Sequence, residues 1–192
     1  MPYSRYRHLA LRAVLACACL ATLGTVSAVP ASGARGTGGA AFVPPPPPPQ
    51  KAMVWHGRAI APASAPTRIK RVIEAANEII NKPYRYGGGH RPFGRQLDTG
   101  YDCSGSVSHA LHGGGFLRSP LPSSSLMSWG RSGPGRWMTV YAHGGHAYLV
   151  VAGLRFDTSM RDPDAPGPST GPRWSKTLRR SAAFVPRHPN GY

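Results

Sequence analysis

Tyr101-Asp102-Cys103-Ser104-Gly105-Ser106-Val107 carries a cysteine at the point where a loop runs into a helix, and the chain reads outward from it. A cysteine in the first turn of a helix feels unpaired backbone N–H groups and the positive end of the helix dipole. Both favour thiolate over thiol, and the thiolate is the nucleophile. The other two cysteines, Cys17 and Cys19, lie in an apolar segment that reads as a removable leader. Cys103 is then the sole cysteine of the mature chain. An odd cysteine in an exported protein has either an intermolecular disulfide partner or a free reactive thiol, and the helix start favours the thiol.

The leader covers residues 1–28. Arg5, Arg7, His8 and Arg12 make a basic start, Ala13 to Ala28 is rich in alanine and leucine, and Val26-Ser27-Ala28 is a small-residue cleavage pattern. This is the layout of a secretory signal peptide. An uncleaved anchor, and lipid attachment at Cys17, are the rival readings. No later segment approaches the roughly 20 apolar residues of a bilayer-spanning helix, so the expected product is exported, with no stable membrane insertion. Residues 29–65 read as an unfolded linker: scattered glycines precede six prolines, Pro44 to Pro49. Such a run favours a stiff polyproline II rod, serving as a spacer or as a ligand for a proline-binding module.

Residues 66–192 have the length of one domain. They hold 17 basic and 7 acidic residues, a net charge of +10, against +16 for the whole chain. A basic exported protein meets anionic surfaces such as wall polymers, acidic glycans or headgroups. The basic residues are scattered, and no nucleic-acid-binding motif is present, so no specific nucleic-acid partner is expected.

Ile69, Val72, Ile73, Ala76, Ile79 and Ile80 recur at three- and four-residue steps, an amphipathic stripe. Thr67 is the expected cap, and Pro83 stops the helix. Cys103 to about Leu111 reads as a second helix, ended by Gly113-Gly114-Gly115, and Ser123 to Trp129 holds a short one. Three β-rich runs follow, Arg136 to Ala142, His146 to Ala152 and Leu154 to Ser159, punctuated by Gly144-Gly145 and Gly153 as in an antiparallel meander. Ala182 to Pro186 is the expected last, edge strand. Helices first and strands after predict an α+β fold, with the nucleophile at a helix start packed on an antiparallel sheet.

A nucleophilic thiol needs a base, and the base needs a third group to fix its ring. His146 opens a strand, which makes it the best base. Asp157 ends the next run, and a tight hairpin near Ala152-Gly153 would bring its carboxylate towards the start of the partner strand. Spacing alone does not separate this from a surface histidine and a turn aspartate. His143 and His146 are spaced like a metal pair, but zinc needs three or four ligands; no metal and no cofactor are implied. His109 and His112 read as a solvated helix face, Glu74 and Glu78 as ordinary surface charges, Trp174 as a packing anchor, and Ser123 as a cap at the groove edge.

Three blocks together resemble a known family. Pro83-Tyr84-Arg85-Tyr86-Gly87-Gly88, then Asp102-Cys103-Ser104-Gly105-Ser106-Val107, then His146-Ala147-Tyr148-Leu149-Val150-Val151-Ala152-Gly153 look like the NlpC-type cell-wall peptidases, whose pattern runs P-Y-x-W-G-G, D-C-S-G-L-V and H-V-G-I-Y-I-G. The resemblance covers Thr67 to Ser159. It implies a compact papain-like α+β domain and a cysteine endopeptidase acting on the peptide stems of bacterial peptidoglycan. It implies Cys103 as nucleophile, His146 as base and Asp157 as third member. It further implies Tyr84 beside the thiol, and Asp102 and Ser104 lining the substrate groove. Departures are Asp157 where the family usually carries His, Asn or Gln, Tyr86 in place of Trp, and a long loop from His90 to Tyr101. The expected protein is a monomeric exported wall hydrolase in contact with peptidoglycan stems and anionic wall polymers. A non-catalytic wall-binding module, and an acyl or amide transferase using the same thiol, are the alternatives.

Overall fold

The computed structural model describes residues 50–159 and 171–192. The leader and residues 29–49 of the linker, with the run Pro44–Pro49, lie outside the described residues.

The element order is β1 (Met53–Trp55), β2 (Arg58–Ile60), α1 (Thr67–Glu78), α2 (Cys103–Gly113), α3 (Ser123–Leu126), β3 (Arg131–Ser132), β4 (Met138–His143), β5 (His146–Val151), β6 (Leu154–Asp157), β7 (Arg173–Ser175) and β8 (Val185–His188). The fold is α+β, as expected. β1 and β2 form a hairpin of their own, and the other strands make a sheet in the order β3-β8-β4-β5-β6-β7, antiparallel at every pairing. Among the described residues no helix is long and apolar enough to cross a membrane.

The apolar stripe builds α1. Ile69, Val72, Ile73 and Ala76 are buried along one side, and the helix packs on α2, which lies against β5 and β6. Thr67 is the first helical residue, not the cap; Pro66 holds the cap position and makes no side-chain cap bond. Proline suits a helix start because its fixed φ is helical and its missing N–H is not needed there. Val107, Ala110 and Leu111 of α2 meet Val140, Leu149, Val151 and Phe156 of the sheet in one core. That core holds α2 rigidly against β5, which fixes the two elements that carry Cys103 and His146.

The sheet departs from expectation at its flanks. The strand near Ala182–Pro186 starts later, at Val185, and lies between β3 and β4 instead of at the edge. Pro186 is tolerated there because β3 is short. Its carbonyl accepts from the Gly133 N–H, so its nitrogen faces the same side, beyond the end of β3, where no ladder donor is required. The true edge at the other side is β7, which pairs with β6 through Phe156 and Trp174.

The expected linker boundary at residue 65 is also corrected. Val54 and Ala59 pair across a hairpin closed by His56 and Gly57, both at positive φ (47° and 74°), the backbone of a two-residue primed turn. Ala52 and Ala59 are buried in the core, and the Ala52 N–H donates to the Ala152 carbonyl at 2.8 Å. The folded unit therefore includes Ala52 to Ile60. Asn77 of α1 locks the hairpin in place: its Oδ1 accepts from the Ala59 N–H at 2.9 Å and from Trp174 Nε1 at 2.9 Å, and its Nδ2 donates to the Ala59 carbonyl at 2.8 Å. Trp174 is thus the packing anchor expected, with a hydrogen bond as well. Asn77→Ala leaves three buried polar groups without partners and should lower stability by about 3 kcal/mol. Urea unfolding of the two proteins checks this; equal midpoints would show that the hairpin docks without the asparagine.

Candidate active site

The N-terminus of α2 is held by one carboxylate. Asp102 caps the helix, with Oδ1 accepting from the Gly105 N–H at 2.7 Å and from Ser104 Oγ at 3.1 Å. Its Oδ2 accepts from the Gly87 N–H at 3.0 Å, and its own N–H donates to the Gly88 carbonyl. His90 Nε2 lies 3.0 Å from Asp102 Oδ1 and 3.1 Å from Ser104 Oγ. Asp102 and Ser104 were expected along a substrate groove. Both are buried, and their polar atoms are engaged in tying the strip Gly87–His90 to the helix start. The Asp-Cys-Ser-Gly stretch thus reads physically as a cap (Asp102), a chemical group (Cys103) and a close-packing glycine.

That strip delivers Tyr84. The Arg85 N–H donates to the Tyr101 carbonyl and the Tyr101 N–H to the Pro83 carbonyl, forming a short parallel bridge between Tyr84 and Tyr101. Tyr84 therefore stands opposite Tyr101, two residues before Cys103, close enough for the charge at Cys103 to act on its hydroxyl. Its hydroxyl is held above the ordinary phenol value by partial burial, then by the negative charges of Cys103 and Asp102. Tyr84 is partly exposed and Tyr86 almost wholly so.

Cys103 is free and 8% exposed. Burial alone would raise its pKa. Hydrogen bonds from His146, from the Ala147 backbone N–H and from Ser123 reverse this, and the thiol lies below its ordinary value. Ser123 Oγ is 3.7 Å from the sulfur. Ser123 was expected as a cap; Pro122 holds the cap position and Ser123 is the first residue of α3.

His146 and Asp157 reach the thiol from the sheet. The β5–β6 register pairs Leu149 with Phe156 and Val151 with Leu154, through a turn at Ala152 and Gly153 with φ of 46° and 80°. Continuing it places Asp157 opposite Tyr148, diagonal to His146 and within side-chain reach. His146 Nε2 lies 2.9 Å from Asp157 Oδ1, with side chains 16% and 0% exposed. The same imidazole also interacts with the Cys103 thiol. Burial would lower the imidazole pKa, but the hydrogen bonds to Asp157 and Cys103 raise it to about 9. Burial would raise the Asp157 pKa, but the bonds from His146 and the Ser159 N–H bring it down to about 2. Cys103, His146 and a buried Asp157 carboxylate thus lie together, with the thiol drawn below and the imidazole above its ordinary value, a grouping that can favour charge separation between sulfur and ring.

The signs fix the pH behaviour. The folded His146 value lies above its unfolded value of 6.5, so its contribution to stability is complete below about 6.5 and is lost as pH rises through about 9. The folded Asp157 value lies below 3.8, so its contribution is present above that and lost as pH falls through about 2. Alkylation of the folded protein by iodoacetamide should reach half its maximal rate well below the ordinary thiol pKa of about 8.5. A profile still titrating at that value would show that the thiol is not activated.

The histidines not predicted for the site divide clearly. His143 pairs with His146 across the turn, but its ring lies tilted against Phe184 with centroids 4.4 Å apart, and its Nδ1 accepts from the Gly145 N–H. His109, expected on a solvated face, is mostly covered and meets Glu78 at 3.0 Å with Tyr101 against its ring; its pKa lies below the ordinary value because burial outweighs the glutamate. Among the described residues no three His, Cys, Asp or Glu side chains gather as for a metal ion. Three participants were not foreseen from sequence: His90 at the cap, and Ser159 and Arg179 around Asp157. Their only sequence signal was a polar residue in a loop, which does not separate them from solvated side chains.

No family model matches the chain, and no curated protein matches it. Among solved structures, one of the Resuscitation Promoting Factor Interacting protein RipA is similar at 24% identity and TM-score 0.44, over 63% of this chain. Another of the same protein is similar at 20% identity and TM-score 0.45, over 72% of this chain and 69% of that one. A hypothetical invasion protein of Mycobacterium tuberculosis, Rv1477, is similar at 19% identity and TM-score 0.43, also over 72% of this chain and 69% of that one. The chain spans 62% of the length of the first of these.

Proposed function

We propose that this domain is a cysteine endopeptidase that hydrolyses peptide stems of bacterial peptidoglycan, with Cys103 as nucleophile, His146 as acid–base and Asp157 as the group that orients His146. The observation that supports it best is the single line of contact from a thiol at a helix N-terminus, through an imidazole on β5, to a wholly buried carboxylate on β6. The three sequence blocks around Tyr84, Cys103 and His146 give the substrate class. The basic leader and the net charge of +16 support export to an anionic wall.

In this reading the Cys103 thiolate attacks the scissile carbonyl. The oxyanion that forms lies near the Cys103 N–H, at the first helical position with no intrahelical acceptor, and near the Tyr84 hydroxyl. His146 passes its proton to the leaving amine, and the acyl group remains on sulfur as a thioester. Water, deprotonated by His146, attacks the thioester and releases the new carboxyl end. Asp157 stays ionised throughout and stabilises the imidazolium.

The test is incubation of the purified chain with peptidoglycan and mass spectrometry of what is released. Fragments bearing a new free amine and a new carboxylate are expected. Acyl groups appearing on an added amine instead would make the enzyme a transferase. Unaltered peptidoglycan after contact with a protein that still binds it would leave a wall-binding module.

A further inference from the structure

Asp157 is held at both ends, and the second hold comes from outside the three catalytic positions. Its Oδ1 meets His146 Nε2 and accepts from the Ser159 N–H at 3.0 Å and Ser159 Oγ at 3.1 Å. Its Oδ2 accepts from Arg179 Nη1 at 3.2 Å. The same Nη1 donates to Ser159 Oγ at 2.9 Å, so arginine, serine and aspartate close a ring. The Ser159 hydroxyl is also only 3.3 Å from His146 Nε2. By donating to that oxygen, Arg179 turns the hydroxyl hydrogen towards Asp157 and keeps the serine from replacing the aspartate as partner of the ring. Arg155 is a poorer hold, with its Nε 3.6 Å from Oδ2. Arg179 is itself fixed, its guanidinium lying over Tyr148 and Phe184 at 5.4 and 5.1 Å from the ring centres.

The geometry points to Arg179 as a positioning residue that clamps Oδ2 of Asp157 and occupies Ser159, so that Oδ1 stays on His146 and the catalytic unit has four members: Cys103, His146, Asp157 and Arg179. A carboxylate's terminal torsion is broad and roughly two-fold, so one held only at Oδ1 can swing; the clamp at Oδ2 removes that freedom. The inference rests on the reading of Cys103 and His146 as nucleophile and base, but it can be tested without any substrate.

Loss of the clamp has one sign at the thiol. A less firmly held Asp157 supports the imidazolium less well, and a less stable imidazolium destabilises the Cys103 thiolate paired with it. The other titratable or charged groups facing Cys103 stay unchanged: His146 on β5, Tyr84 and Asp102 from the loop and cap, and, around His146, His143 on β4 and Arg155 on β6.

In the full chain, Arg179→Ala should move the midpoint of the iodoacetamide profile of Cys103 upward by roughly half a unit or more. Arg179→Lys, which keeps the charge, should move it less. Added to Asp157→Ala, Arg179→Ala should move it no further, because its effect passes through the aspartate. With peptidoglycan, Arg179→Ala should lower kcat by roughly 10-fold and leave KM within about 2-fold. Circular dichroism establishes that each variant is folded, and Arg179→Lys carries the test if the alanine variant is not. An unmoved midpoint in a folded Arg179→Ala protein overturns the inference, and so does an equal shift with and without Asp157. If the wild-type protein releases no fragments while the midpoint still moves, the peptidase reading fails and the role of Arg179 stands. Fragment release with an unmoved midpoint gives the reverse.

Discussion

Cys103→Ala is expected to reduce fragment release from peptidoglycan by about 10⁵-fold or more, to the rate of the uncatalysed reaction plus whatever binding alone provides. His146→Ala should lose nearly as much, and the double variant no more than either, because nucleophile and base act as one unit. Asp157→Ala should be milder by about one to two orders of magnitude, since the ring keeps its place on β5 and loses only its orientation and the charge behind it. His143→Ala should stay within a few-fold of wild type, because its ring faces Phe184. The active protein should also show an alkaline limb near the His146 value of about 9, where the imidazolium loses its proton. Release measured by mass spectrometry, on variants first shown to be folded, decides the matter. Full activity in Cys103→Ala would end the thiol mechanism, and loss in His143→Ala with retention in His146→Ala would move the base to β4.

Gly105→Ala should be the most damaging of the small substitutions, although alanine is the better helix former by about 1 kcal/mol. A Cβ at Gly105 would overlap the Gly88 carbonyl oxygen and sit 3.0 Å from the Gly89 Cα. Both are backbone atoms of the strip that Asp102 binds through the Gly87 N–H, so nothing there can turn aside as a side chain would. Either the helix start moves, carrying Cys103 away from His146, or the strip moves, carrying Tyr84. We expect a loss of about 2–3 kcal/mol in stability together with most of the activity. Gly144→Ala meets no atom within 4 Å and should be close to neutral on both counts. Urea midpoints and fragment release on the two variants make the comparison; a stable, active Gly105→Ala would mean that the strip is looser than its hydrogen bonds indicate.

What the sequence reveals of this site follows from which signals are local. The start of α2, the stripe of α1 and the β4–β5–β6 meander are written in short-range patterns, and the expected meeting of Cys103, His146 and Asp157 appears in the geometry because it depends on one helix start and one tight hairpin. The β1–β2 hairpin was missed because three-residue strands lie among alanines and prolines, and the turn signal His56-Gly57 is weaker than Asn-Gly or Asp-Gly. What makes that hairpin part of the domain is Asn77, 18 residues away from Ala59, a contact with no local signature. Arg179 is the same case at the site: it lies 22 residues from Asp157 and is one of many basic residues, so only the closed chain distinguishes it. Asp102 adds a role that its place in the resemblance does not carry: as helix cap it holds the Gly87 and Gly105 N–H groups, with Ser104 and His90 beside it.

The Ala52–Ala152 hydrogen bond sets the direction of attachment. Ala152 turns the chain at the end of β5 remote from His146, roughly 20 Å away at about 3.3 Å per residue. Ala52 therefore lies at the end of β5 remote from His146. A domain held through residue 50 or 51 is therefore held away from the end of β5 that carries His146. Attached to beads by that side, it should still reach insoluble peptidoglycan sheets.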